Sequence, residues 1–281
     1  MKILVSTLCI LLSFSSFADE ASDLFAKRGL SRDGKAALEA ADLVKTLAAA
    51  STSKEEKAGY KSREAEYIYF YGTRLTSKDA KKKFHIRGYE AALASIKLLA
   101  KDSEGKVPTA PSNKVPLAKA HYFYAINLGK WAEANGVLSS LSRWPELKGH
   151  LNIIDSLDKS VEEYGSARVR ARALQKLPFG SNSDARKLLK EAFNKTLSDM
   201  IELSRNATTV SYYLDILAAT GDDDDTFCEV YEMFLELSDF SDEELLEYNG
   251  QKLPETKKEI ENFLKGKGFE EDVKKYFDRN C

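Results

Sequence analysis

The segment AHYFYAINLGKWAEANG, residues 120–136, places five aromatic or imidazole rings between positions 121 and 131, with glycine at 129 and 136. Wound as a helix, its Ala120, Tyr122, Phe123, Tyr124, Ala125, Ile126 and Leu128 cover most of the circumference. A helix that is apolar all round must be covered on several sides. That is the position of an inner helix in an array of hairpins, each packed on its neighbours. Gly129 is the expected turn out of this helix.

Working outward, almost no stretch alternates apolar and polar residues with period two, and apolar residues instead recur at helical spacing. AALEAADLVKTLAAA (36–50) and YEAALASIKLLA (89–100) are the clearest cases, built from alanine and leucine, which are good helix formers. All six prolines fall where a helix would start or stop: Pro108, Pro111, Pro116, Pro145, Pro178 and Pro254. The fold class expected is all-α.

Glycines at 29, 72, 129, 180 and 221 each close an apolar segment and precede a polar start signal. This reads as a glycine stop, an N-cap and a second helix. The intervals of 43, 57, 51 and 41 residues predict hairpins of uneven length. Gly29, Ala41 and Ala48 also fit the spacing of a tetratricopeptide unit, although the closing proline is absent at Ser53. The architecture expected is a TPR-like α-solenoid over 19–240, with a helical cap at 241–281.

Residues 1–18 read as a secretory signal, with Lys2, an apolar run from Ile3 to Leu12, and a cleavage point after Ala18. The run is too short to span a bilayer comfortably, and no second one follows it. A periplasmic or secreted location is therefore expected. Without residues 1–18 the chain carries 41 basic and 44 acidic residues, too balanced to attract nucleic acid. KDAKKKFHIR (78–87) is locally cationic and reads as a solvated helix start. Cleavage also removes Cys9 and leaves Cys228 and Cys281, which either remain thiols or form one disulfide. The pairing is expected here, with Cys281 reaching back to the helix that carries Cys228.

Buried tyrosine hydroxyls need partners. Tyr67, Tyr69 and Tyr71 in EYIYFYG, Tyr122 and Tyr124 in the opening segment, and Tyr212 and Tyr213 in SYYLDIL either fill the core or line a concave face. On the second reading the candidate binding residues are Tyr67, Tyr71, Tyr122, Tyr124 and Tyr213.

AHYFYAINLGKWAEANGVLSSL together with YGSARVRARALQKLPFGSNSDARKLLKEAF (164–193) resembles the T component of tripartite ATP-independent periplasmic transporters, the TatT-like family. The resemblance spans roughly residues 20–240. It implies stacked hairpins around a groove or pore, association with a periplasmic solute-binding subunit, and a role with hydrophobic ligands. Family members are often lipoproteins, whereas Cys9 here follows Ser6-Thr7-Leu8 and forms no lipobox. The family supplies no catalytic residues.

Catalytic signals are sparse, and neither a cofactor nor a metal is expected. His85, His121 and His150 have no metal-ligand spacing. GDDDDTFCEVYEMF lacks the alternating oxygen ligands of a calcium loop and reads as an acidic helix start. Glu64 and Glu66 are a candidate carboxylate pair for glycan cleavage, but their i,i+2 spacing points them to different faces, with both expected in solvent. The leading functional expectation is a non-enzymatic helical-repeat protein that binds a partner, plausibly a solute-binding subunit of an uptake system. The alternative is a carrier of a small hydrophobic ligand in a tyrosine-lined cavity; a periplasmic enzyme acting on cell-wall glycan is third.

Overall fold

The computed structural model describes residues 18–28, 34–237, 239–241, 244 and 269–281. The chain is all-α. Among the described residues the only extended pairings are two isolated bridges, Ala100 with Pro108 and Leu197 with Ser204. The helices are α1 (18–26), α2 (Lys35–Ala50), α3 (Lys54–Arg74), α4 (Lys78–Leu99), α5 (Lys114–Asn135), α6 (Trp144–Leu157), α7 (Val161–Lys176), α8 (Asn182–Lys195), α9 (Ala207–Thr220), α10 (Asp224–Glu236) and α11 (Phe269–Asn280). Short 3-10 segments at Pro111–Asn113 and Leu138–Arg143 flank α5. No helix among the described residues is long and apolar enough to cross a membrane. The chain divides into two compact units, Met1–Val161 and Glu162–Cys281.

In the first unit, α2 through α6 each pack on the next, and α3 also reaches α5. These are stacked helical hairpins. The alanine-rich face of α2 explains how closely it packs: Ala37, Ala40, Ala41 and Ala48 are fully buried beside Val44 and Leu47. The serines before α3 and α4 cap them, Ser53 Oγ accepting from Glu56 N and Ser77 Oγ from Ala80 N. Such a cap satisfies one of the amides that a helix start leaves open. On α5 every residue from Ala120 to Leu128 is buried, as its all-round apolarity requires.

One side chain ties the centre of this unit together. Asn127 on α5 is fully buried, and its Nδ2 donates to Ala65 O of α3 at 3.1 Å and to Phe123 O of its own helix at 2.9 Å. Its Oδ1 faces His85 Nδ1 of α4 at 3.1 Å. Glycines make the room: a Cβ at Gly88 would fall on Asn127 Oδ1, and one at Gly72 would lie 2.6 Å from His85 Cε1.

Two of the expected glycine stops are corrected by this packing. Helix α3 runs through Gly72 to Arg74, because that glycine serves a close approach and not a turn. Helix α5 runs through Gly129 to Asn135 and stops at Gly136, whose φ is 97°. The buried turns before Gly129 outweigh the roughly 1 kcal/mol that glycine costs inside a helix. Gly221, at φ 62°, does end α9, and Gly180 lies between α7 and the Ser181 cap of α8. Gly29 lies outside the described residues.

In the second unit, α9 is packed by α8, α10 and α11. Glu162, Glu163 and Tyr164 at the start of α7 are left-handed, with φ between 50° and 61°, a conformation costing non-glycine residues about 1–2 kcal/mol each. Arg168, 5 % exposed, offsets this by donating to the carbonyls of Glu162 and Glu163. Ser241 and Glu244 form a reciprocal capping box, Ser241 N donating to Glu244 Oε2 at 2.7 Å and Glu244 N to Ser241 Oγ at 3.2 Å. The remainder of the expected cap up to residue 268, including Pro254, lies outside the described residues. Helix α11 buries Val273 and Tyr276; Tyr276 packs on Phe227 at 4.8 Å between ring centres, and Phe277 on Tyr231 at 4.5 Å.

Cys281, just beyond α11, is disulfide-bonded to Cys228 on α10, with Cα atoms 5.7 Å apart and a sequence separation of 53. Closing a loop of that length is worth on the order of 4 kcal/mol in the chain-entropy model. Replacing Cys281 by serine is expected to lower unfolding stability by roughly 2–4 kcal/mol and to speed amide exchange selectively in α11. Unchanged protection of α11 would show that the staple is not what holds it.

Candidate functional site

The densest group of chemically active side chains lies where α4, α5 and α6 meet the 100–110 loop of the first unit. Helix α5 supplies His121 and Tyr124, α6 supplies Glu146 and His150, and the 3-10 segment before α6 supplies Arg143. Arg143, Glu146 and His150 follow at steps of three and four residues, which sets them along one helix face.

The imidazoles of His121 and His150 face each other, Nδ1 to Nδ1, at 2.7 Å, and Nε2 of His121 lies 2.9 Å from Gly105 O. A carbonyl only accepts, so Nε2 of His121 carries the proton and its Nδ1 accepts in the neutral ring. His150 must then donate from Nδ1, which leaves its Nε2 as a lone-pair acceptor. Burial drives both rings toward the neutral state. It lowers His121 to about 4 against the bond to Gly105, and it lowers His150, helped by neighbouring His121, to about 3.

Tyr124 stacks on His150, with ring centres 3.9 Å apart and planes 12° from parallel, and donates its hydroxyl to the Glu146 carboxylate. Arg143 grips the same carboxylate through Nε at 2.5 Å and Nη2 at 3.1 Å. Burial pushes Glu146 upward, but the bonds from Arg143 and Tyr124 outweigh it and hold the acid below its usual range. Burial and the Glu146 acceptor raise the Tyr124 hydroxyl above its ordinary value. The Arg143 guanidinium carbon lies 5.6 Å from the Tyr89 ring centre and 5.5 Å from that of Trp131, both within cation–π range.

The fold brings two of the three histidines together: His121 and His150 touch across 29 residues of sequence. Their nitrogens are closer than the roughly 3.3 Å that two ligands of a tetrahedral metal would keep, given metal–nitrogen bonds of about 2.0–2.1 Å. The two rings share a proton. Among the described residues no group of three or more metal-ligating side chains comes together.

The tyrosines singled out from sequence fall in several places. Tyr67, 4 % exposed, stacks on Phe25 at 4.0 Å, and Tyr71 meets Phe84 edge-on at 4.7 Å; both belong to the α1–α2 core. Tyr122 is buried against Phe123 at 5.3 Å. Tyr124 alone joins the imidazole cluster. Tyr213 lies in the core of the second unit beside Phe193, with its enclosed hydroxyl facing Arg186.

The solvated reading of Glu64 is also corrected. Glu64 is 2 % exposed, bound by Lys61 Nζ at 2.8 Å and Arg87 Nε at 2.9 Å, while Arg87 Nη1 reaches Asp42 at 2.7 Å. Glu66 faces elsewhere, toward Lys119 at 3.5 Å, so the two carboxylates form no pair. The aspartates at 222–225 behave as an acidic helix start. Asp223 caps α10, Asp224 and Asp225 sit in its first turn, and Arg186 bridges Asp222 and Asp223. Arg143, Glu146 and Tyr89 were not singled out in the sequence. The three-and-four spacing on α6 was the available signal, but His121, the partner that gives that face its chemistry, is distant in sequence.

Comparison with known proteins matched no family model and no curated protein.

Two buried imidazoles and the half-buried His150 set a pH dependence of stability. His85, lowered to about 4 by burial despite its bond to Asn127 Oδ1, joins His121 and His150 in staying neutral when folded. An unfolded chain protonates histidine near 6.5, so as pH falls below that value the unfolded state binds more protons. The stability these rings contribute is full above about pH 6.5 and is lost toward pH 4, with the share of His150 continuing to about 3. Urea unfolding between pH 7.5 and 4.5 is expected to show a loss of several kcal/mol, on the order set by linkage. A flat profile down to pH 5 would contradict the buried neutral assignment.

Proposed function

We propose that the chain is a non-enzymatic helical-repeat protein that works outside the cytoplasm by binding a partner protein, namely a solute-binding subunit of a tripartite ATP-independent uptake system. The observation that carries this reading is how the α5–α6 cluster uses its groups. Glu146 is committed to Arg143 and Tyr124, and the two imidazoles are committed to each other and to a backbone carbonyl. Its polar groups brace helices, while Tyr89, Trp131, Arg143 and Trp144 remain half-exposed along one edge. Tryptophan, tyrosine and arginine are the residue types that carry most binding energy at protein interfaces. The stacked hairpins provide a rigid support for such an edge, and the disulfide suits an oxidising compartment.

One observation favours the second reading, a carrier of a small hydrophobic ligand. The enclosed Tyr213 hydroxyl lies beside Arg186, which is already committed to Asp222 and Asp223, and a poorly satisfied buried hydroxyl is costly unless something else pairs with it. Native mass spectrometry of freshly purified protein distinguishes the two readings, since a carrier retains a bound small molecule.

The test of the first reading is affinity capture from an extracytoplasmic extract using tagged residues 19–281. The expected result is specific recovery of a solute-binding protein, reduced at least about tenfold by Trp131→Ala in a variant whose helical circular dichroism is unchanged. Recovery of no specific protein, or equal recovery with the variant, would overturn it.

A further inference from the structure

We propose that the His121–His150 pair is an acid-opened latch that holds the 100–110 loop and helix α6 onto helix α5. Three elements meet in one chain of hydrogen bonds: Gly105 O of the loop, His121 of α5 and His150 of α6. The loop closes on itself before it reaches α5. Lys101 N donates to Val107 O at 2.6 Å, Thr109 N to Leu99 O at 2.8 Å, and Asp102 Oδ1 accepts from Lys106 N at 2.8 Å and Val107 N at 3.0 Å. It therefore presents the Gly105 carbonyl as a preformed acceptor. Gly105 sits at φ 74°, and a Cβ there would lie 2.9 Å from His121 Nε2 and 2.8 Å from Ile96 Cγ2, so glycine is needed for the approach.

The latch has a defined capacity for protons. The first goes to His150 Nε2, the only ring nitrogen of the pair that is neither protonated nor accepting. The imidazolium so formed keeps its Nδ1–H bond to His121 and faces Glu146 and the Tyr124 ring. The second has only His121 Nδ1 to occupy. It turns that acceptor into a donor, breaks the bond between the rings and sets two positive charges within 3 Å of each other. The groups facing the pair do not remove this conflict. Glu146 is already neutralised by Arg143, Tyr124 and Tyr89 are uncharged, and Asp102 faces His121 from the loop with Oδ1 already accepting two backbone bonds. Separation of the rings relieves it, and each freed imidazole then titrates near its ordinary 6.5.

Linkage fixes the size of the effect. With two imidazoles released on opening, the opening equilibrium rises roughly 600-fold between pH 7 and pH 5; with one, it rises roughly 25-fold. The test is hydrogen exchange read by mass spectrometry on the full mature chain, corrected for the intrinsic pH dependence of exchange. Peptides covering 100–113 and 144–157 are compared with peptides of α3 as an internal reference. The expected result is acceleration of the loop and α6 by hundreds of fold at pH 5, with both still exchanging faster than α3. His150→Gln, which keeps an N–H donor but cannot titrate, is expected to cut the acceleration to tens of fold. The proposal is overturned if the loop and α6 exchange no faster than α3 at pH 5, since that is global unfolding. It is also overturned if the loop and α6 do not respond, or if His150→Gln leaves the response unchanged. Should that variant fail to fold, imidazole nitrogen spectra of the native chain at pH 7 decide: protons on Nε2 of His121 and Nδ1 of His150 uphold the latch, and any other tautomer pair overturns it.

Discussion

Asn127 is the constraint on which the first unit depends. A carboxamide with no solvent exposure has to find its partners inside, and this one finds them on three helices. Because its donors and acceptor point in fixed directions, α3, α4 and α5 can meet in only one rotation and one register around it. An apolar residue of the same volume would allow sliding, since dispersion is not directional. Gly72 and Gly88 belong to the same device, each leaving out a side chain so that His85 and Asn127 can occupy the space. The result is a specified three-helix centre inside an otherwise permissive layer of alanine, leucine and tyrosine.

Around that centre, charge is kept neutral or paired. His85, His121 and His150 are held in the neutral state by burial, and Glu64, nearly inaccessible, is matched by Lys61 and Arg87. Arg87 also reaches Asp42, so one guanidinium connects α2, α3 and α4. Removing one member of such a group leaves the others charged and desolvated, which is why buried pairs cost more to break than they contribute when intact. The second unit uses different means. Arg168 covers the carbonyls of the left-handed residues, and the Cys228–Cys281 bond secures the terminal helix.

The helical class, the all-round burial of 120–128 and the terminal disulfide were legible in the sequence. Each rests on a signal in the sequence: periodicity, the apolar circumference, and the two cysteines that lie beyond residue 18. The glycine stops were half legible. Gly221 takes the left-handed conformation that only a turn requires, whereas Gly72 and Gly88 serve side chains on other helices, a reason that no local pattern displays. The site was less legible still. Glu146 and His150 share one face of α6 with Arg143 just ahead of it, but His121 reaches them only through the packing of α5 on α6. Glu64 was misread as solvated because Arg87, which binds it, lies 23 residues away.

The central claim, that Asn127 sets the register of α3, α4 and α5, is tested most directly by a double-mutant cycle with Gly88. Gly88→Ala alone would drive a Cβ into Asn127 Oδ1 and is expected to destabilise the protein by about 1–3 kcal/mol, as overpacking does. With Asn127→Ala in place the obstruction is gone, and alanine should be up to about 1 kcal/mol better than glycine in the middle of α4. The account predicts a coupling of at least about 2 kcal/mol between the two positions in equilibrium unfolding. Additivity within about 0.5 kcal/mol would mean that Asn127 and α4 do not constrain each other, and would contradict it.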